Sequence, residues 1–201
     1  MNGKFFDLKK DKQDRMINAA LKAFALSGYR HASTDDIVKD AAISKGLLFH
    51  YFESKLGLYT FVYDYSVRYM TLELRASVDA NEKDLFQVMK QMERAKMHAM
   101  RGYPYMQQFL NASVSENVSE ALLAIEEKRN AMQEVYDAIY SQIDYSSLPE
   151  GVDGEKLRKM LEFTIKGLMT ERFLDASFQP EMLYEETADY LDMMRKIVNR
   201  E

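Results

Sequence analysis

Apolar residues recur at spacings of three and four along almost the whole chain, the signature of amphipathic helices. Ile17, Ala20, Leu21 and Phe24 form such a stripe in a first helix over about Lys9–Ser27, and Gly28 supplies a left-handed stop. Ser33 then caps a second helix with Asp36 three residues on, and Ile37, Val38 and Ala41 face inward. After a turn at Ala42 and Ile43, Ser44 caps a third helix that ends near Phe52, anchored on one side by Leu48 and Phe52. Ser54 caps a fourth, over about Lys55–Asp79, with an inner stripe of Leu58, Phe61, Val62, Tyr65, Tyr69 and Leu72. At 1.5 Å per residue this fourth helix is roughly 37 Å long.

A fifth helix over about Glu82–Arg101 carries Leu85, Phe86, Met89, Met92, Met97 and Met100 on one broad face, and Gly102 and Pro104 end it. A short sixth spans about Pro104–Ala112. The seventh, about Asn117–Ile143, has Val118, Leu122, Ile125, Arg129, Met132, Tyr136, Ile139 and Ile143 on its stripe, one of them a cation. The eighth, about Glu155–Ala176, has two apolar faces: Leu157, Leu161, Ile165 and Leu168 on one, Met160, Phe163, Gly167 and Leu174 on the other. The ninth, about Glu181–Asn199, shows Leu183, Thr187, Tyr190, Leu191, Met194, Ile197 and Val198 on one side. A helix needing cover on two sides requires a second partner, so the last two helices read as half of a four-helix bundle completed by another subunit. With three prolines and eight glycines in 201 residues, the chain reads as all-α with about nine helices.

Composition adds bounds. The chain is 47% apolar and 12% aromatic, enough for a core in one large domain or two small ones. The absence of cysteine excludes disulfides and thiolate chemistry. The N-terminal stretch has no apolar run beyond Phe5 and Phe6, so it reads as neither signal peptide nor membrane anchor, and a cytoplasmic protein without membrane contact is expected. Net charge is −5, yet residues 1–60 hold 10 Lys and Arg against 7 Asp and Glu, leaving −8 for the remainder. A weakly basic head on an acidic body suits local contact with phosphates, because that attraction is felt within about 8 Å.

The third helix fits poorly as a purely buried element. Lys45, Gly46, Leu47, Phe49, His50 and Tyr51 fall to its rim and outside. Either it is a connector whose aromatics are core, or it is displayed for contact; two capped helices around a short turn favour display. His50 shows no metal-ligand spacing with His31 or His98, so no metal is expected.

The stretch from about Arg15 to Val62 resembles the TetR family of bacterial transcriptional regulators. Phe24, Gly28, Tyr29, Thr34, Ile37, Ala41, SKG at 44–46, HYF at 50–52 and Lys55 stand at that family's spacing. The resemblance implies a helix-turn-helix DNA-binding domain at residues 1–53 and a ligand-binding and dimerisation domain at 54–201. It further implies a homodimer that places its third helices in major grooves of a palindromic double-stranded DNA operator, with a small-molecule effector releasing the DNA. Thr34, Tyr51 and Lys55 would contact phosphates, while Lys45, Gly46, Leu47, Phe49 and His50 face bases or backbone. Three positions depart from the family's habit: Leu47 replaces a small polar residue, Phe49 a tyrosine, and Ala42 a turn glycine. The first two favour apolar contact with thymine methyls. If the turn needs positive φ, Ala42 costs on the order of 1 kcal/mol.

Beyond the head, Met89, Met92 and Met97 suit either ordinary core packing or the soft lining of a ligand pocket. Arg129 either snorkels to water or pairs with Glu93, which lies on the face of the fifth helix, or holds an acidic ligand head. Tyr65, Tyr69, Met132 and Tyr136 complete the expected ligand-binding set, and Met160, Phe163, Gly167, Leu174, Leu183, Tyr190, Leu191, Met194 and Val198 the expected dimer interface. No nucleophile elbow or phosphate loop occurs, and carboxylate pairs such as Glu126 and Glu127 fall on charged faces, so no catalytic residues and no cofactor are expected. The reading is a ligand-responsive regulator, foremost a repressor released by a largely apolar effector; the competing reading is a helical small-molecule carrier or enzyme that retains the head.

Overall fold

Every regular element is helical among residues 3–175 and 177–199, which the computed structural model describes. A 3-10 turn at Gly3–Asp7 leads into α1 (Lys10–His31), α2 (Thr34–Asp40), α3 (Lys45–Phe52), α4 (Lys55–Ser77), α5 (Leu85–Gly102), α6 (Met106–Val114), α7 (Ser119–Ser141), α8 (Gly154–Arg172) and α9 (Pro180–Asn199). The expected end of the eighth helix at Ala176 lies outside the described residues.

Two departures from the expected elements have local causes. Gly28 takes positive φ as expected, but at φ 65 and ψ 175 the chain passes through it and completes a further turn to His31. That combination is open essentially only to glycine. On α4, Leu72 is 65% exposed, while Leu58, Val62, Ser66, Met70 and Leu74 are buried at four-residue spacing, with Tyr59, Tyr63 and Val67 beside them. The inner stripe is thus rotated from the one expected, so that Phe61, Tyr65 and Tyr69 sit at its margin.

Two compact units result. The first comprises residues 1–69 and 102–133 and contains the whole of the expected helix-turn-helix segment. Its centre is aromatic: the ring of Phe24 on α1 lies 5.0 Å from Tyr59 on α4 and 6.1 Å from Phe109 on α6, and Tyr59 and Phe109 meet edge to face at 5.5 Å. A polar chain closes one side. Tyr103, 4% exposed, donates its hydroxyl to Asp14 at 2.7 Å and lies 2.6 Å from the Tyr65 hydroxyl, while Lys10 donates to Tyr103 at 3.0 Å. Tyr103 is the buried member, and these partners are what make its hydroxyl tolerable in the interior, while Lys10 stands exposed at the edge.

The second unit comprises residues 70–101 and 134–201. Leu157, Leu161, Ile165 and Leu168 of α8 and Leu183, Thr187 and Leu191 of α9 are buried within it. Lys90 pairs with Asp192, Arg172 binds Glu186 through two nitrogens at 2.6 and 2.9 Å, and the Arg158 guanidinium lies 4.5 Å over the Tyr140 ring. No described helix is long and apolar enough to cross a membrane.

Candidate nucleic-acid interface

The geometry of the head follows from its caps. The Ser33 hydroxyl accepts the Asp36 N–H at 3.3 Å at the start of α2, and the Ser44 hydroxyl accepts the Leu47 N–H at 3.2 Å at the start of α3. Between them the Ile43 N–H returns to the Val38 carbonyl at 3.0 Å and the Ala42 N–H to Lys39 at 3.2 Å. These are the two bonds of a Schellman termination, which requires a left-handed residue at its centre. Ala42 is that residue, at φ 53. The turn therefore needs positive φ and is strained by its methyl group, on the order of 1 kcal/mol.

Leu48, Tyr51 and Phe52 are the buried residues of α3. Its other face carries exposed Lys45, Gly46 and His50, with Leu47 and Phe49 half-buried. No atom lies within 4 Å of where a Cβ would stand on Gly46, so backbone there is open to close approach. Thr34 is half-buried at the first position of α2, where backbone N–H groups have no helical partner and suit an anion. Lys45 spans the two helices, donating to both oxygens of Asp35 at 2.9 and 3.1 Å.

Two residues expected at phosphates are engaged inside the chain. Tyr51 is 7% exposed, its ring centroid 5.7 Å from that of Phe5. Lys55 donates to the carbonyl oxygens of Arg30 and Ala32 at 3.0 and 3.1 Å and lies 4.9 Å over the Tyr29 ring. A cation there satisfies carbonyls at the C-terminus of α1 and complements its dipole. A lysine's charge is visible in sequence; the acceptor it takes is not.

Tyr29 ties α1 to the start of α7. Its N–H donates to Glu116 at 2.9 Å and its hydroxyl to Glu120 at 2.8 Å. Burial, then the hydrogen bond to Glu120, pushes the Tyr29 hydroxyl up to about 12. Burial alone would raise the Glu116 carboxyl, but N–H donation from Tyr29, Val118 and Asn117 outweighs it and holds the group below its usual range. None of these partners stands at a periodic position, which is why sequence reasoning missed the contact.

The expected ligand-binding residues divide between the units. Tyr65 and Tyr69 stack at 6.2 Å in the first, where burial raises the Tyr63 hydroxyl and Arg129 lies near enough to oppose that rise in part, and Met132 is buried. Met89, Met92, Met97 and Glu93 are buried in the second, and Tyr136 is half-buried there. Glu93 takes Lys96, one turn along α5, as its partner at 2.6 Å; that i, i+3 pair was open to sequence reading and not singled out. Among the described residues, no group of three or more carboxylate or imidazole side chains is placed to hold a metal.

The expected dimer residues also separate. Met160, Phe163, Leu174 and Tyr190 are exposed at 57%, 72%, 84% and 39%, and Gly167 faces open space. Met194 and Val198 are half-buried. Leu183 and Leu191 are 2% and 1% exposed and are already covered by their own chain, where they seat α9 in the second unit. The ninth helix has one apolar stripe in sequence, and periodicity does not distinguish its intrachain half from the half left open.

Residues 16–60 match the family described as bacterial regulatory proteins, tetR family. An uncharacterized HTH-type transcriptional regulator of Bacillus subtilis (strain 168), YuxN, is 41% identical over 59 residues, 27% of this chain and 20% of its own length. The match thus spans about a fifth of that relative. A TetR family transcriptional regulator from Chloroflexus aurantiacus J-10-FL superposes with a TM-score of 0.64 at 19% identity, over 99% of this chain and 96% of its own. The regulator FadR from Bacillus subtilis, in a complex with stearoyl-CoA, gives 0.55 at 20% identity over 88% of this chain and 96% of its own. At such identities the superpositions speak for the fold, and the sequence match is confined to the head. Two capped helices around a strained turn thus lie in a head that matches the tetR family of bacterial regulatory proteins over residues 16–60, on a fold shared along nearly the whole chain with a solved TetR family regulator.

Proposed function

We propose that the chain is a ligand-responsive transcriptional repressor that binds a palindromic operator as a homodimer and is released by a small, largely apolar effector. The observation that carries the reading is α3: a capped eight-residue helix that buries three residues and leaves Lys45, Gly46, Leu47, Phe49 and His50 toward solvent in part or whole. A cation and an open glycine suit the phosphate backbone, and two apolar side chains suit thymine methyls. The exposed apolar face of α8 and α9, with Met160 57% and Phe163 72% exposed, and Leu174 just past the end of α8 at 84%, is the surface proposed for the second copy. The buried methionines Met89, Met92 and Met97 of α5, together with the stearoyl-CoA bound by the FadR of similar fold, support an apolar effector class.

Release follows if the effector binds one arrangement of the protein better than the DNA-binding one, since only that difference shifts the equilibrium. Selection from a random duplex pool with the full chain tests the proposal. Enrichment of an inverted repeat, with half-sites about one helical turn apart, is expected. An enriched pool without symmetry removes the dimeric mode, and no enrichment at all removes the DNA-binding function in favour of a carrier or enzyme.

A further inference from the structure

Phe5 precedes α1 in a 3-10 turn with no periodic signal of its own, yet its ring is 0% exposed. Its centroid lies 5.7 Å from Tyr51 and 5.2 Å from Phe52, the last two residues of α3, and 5.1 Å from Phe61 of α4. The segment is also fixed through its backbone. Gln13 donates to the carbonyl oxygens of Phe6 at 3.1 Å and Leu8 at 2.7 Å, and the Leu8 N–H returns to Phe5 at 3.2 Å. By contrast Phe6 beside it is 54% exposed.

An eight-residue helix does not hold its own direction, because isolated helices of that length are marginal and packing must set their pose. Of the three side chains that α3 buries, two rest on Phe5. The far end of α3 has little slack: a Cβ on Gly57 would stand 2.1 Å from the Phe52 carbonyl oxygen, and Glu53 turns the chain at φ 65. Phe5 therefore braces α3 from the segment ahead of α1, while Phe61 of α4, its ring 4.9 Å from that of Phe52, braces it from the segment that follows.

We propose that Phe5 is a positioning residue for DNA reading: through Tyr51 and Phe52 it fixes the pose of α3, so the segment ahead of α1 contributes to sequence discrimination without touching a base. This rests on the DNA-binding function proposed above. Contacts to base edges demand side chains held within a fraction of an ångström, whereas phosphate contacts by flexible cations tolerate a small tilt. Loss of Phe5 should therefore weaken specific binding far more than non-specific binding.

The test is an anisotropy titration of the full chain on its selected duplex and on a scrambled duplex. Wild type is compared with Phe5→Ala, Phe5→Leu and the exposed control Phe6→Ala. Phe5→Ala should lose about tenfold in specific affinity with under about twofold change on the scrambled duplex, a size in line with one mismatched base pair. Phe5→Leu should recover most of that loss, and Phe6→Ala should match wild type. Amide exchange in the free protein should quicken across α3 in Phe5→Ala, with α8 and α9 unchanged; if that variant does not fold, Phe5→Leu carries both readouts with a smaller loss. Unchanged discrimination in Phe5→Ala, or equal losses on both duplexes, overturns the proposal. A wild-type chain that selects no sequence instead overturns the function on which it rests.

Discussion

The Lys45 ammonium is shared between both oxygens of Asp35, which ties the first residue of α3 to the first turn of α2. Both side chains are largely in water, at 49% and 74% exposure, so the pair adds at most about 1 kcal/mol to stability. In the proposed DNA-binding role its weight falls on phosphate contact. A phosphate that takes Lys45 must displace Asp35 and approach that carboxylate.

Asp35→Asn should therefore tighten binding to any duplex about threefold and steepen the dependence of log affinity on log salt by about 0.9, one more phosphate neutralised. Titrations between low and moderate salt measure both. An unchanged slope would mean that Lys45 does not meet DNA.

The turn offers a separate test. Ala42 sits at φ 53 at the centre of the Schellman bonds from Ala42 and Ile43. Ala42→Gly should raise the melting temperature by about 2–4 °C, the shift that 1 kcal/mol produces in a chain of this size. Gly28→Ala, at φ 65 and ψ 175, should act in the opposite sense, lowering it by at least as much.

Tyr29 and Glu116 set opposite pH limits on the first unit. The Glu116 carboxyl is held low in the folded chain, so its contribution is complete above the unfolded value near 4.5 and is lost as pH falls through the folded one. Tyr29 is pushed up from 10.0 to about 12, so folding keeps a proton that the unfolded chain releases, and stability declines from pH 10 toward 12. In chemical denaturation series, Glu116→Gln should flatten the acid limb and Tyr29→Phe the alkaline limb. Limbs identical to wild type would show that these contacts do not form in solution.

The proposed second copy makes its own demand. Phe163→Glu places a charge on a side chain already 72% exposed, so the chain itself should fold as before. Sedimentation should show a shift from dimer toward monomer by about tenfold or more in dissociation constant, since a charge buried without a partner costs several kcal/mol. A wild-type chain that sediments as a monomer at micromolar concentration would contradict the dimeric reading.

Much of the fold was legible because burial imposes a period. Ile17, Leu21 and Phe24, or Leu157, Leu161 and Ile165, can be read from spacing since each follows from one apolar face meeting one core. The caps Ser33 and Ser44 were legible for a similar reason, as their partners lie three residues away. What stayed hidden depends on contacts between distant positions. Phe5 has no periodic neighbour to announce its burial, Lys55 could have met a phosphate or a carbonyl, and Tyr29 reaches Glu116 across 87 residues of chain. Leu72 was misplaced on α4 because that helix is apolar over more than half its circumference, which leaves the phase of the stripe undetermined.

The central claim is that α3 reads base sequence, and the most direct measurement is the ratio of affinities for the selected duplex and a scrambled duplex of the same length. At physiological salt the ratio should be about 10³ or more and should fall when thymines under α3 are replaced by uracil, which removes only the methyl groups that Leu47 and Phe49 would touch. Equal affinity for the two duplexes would contradict the account.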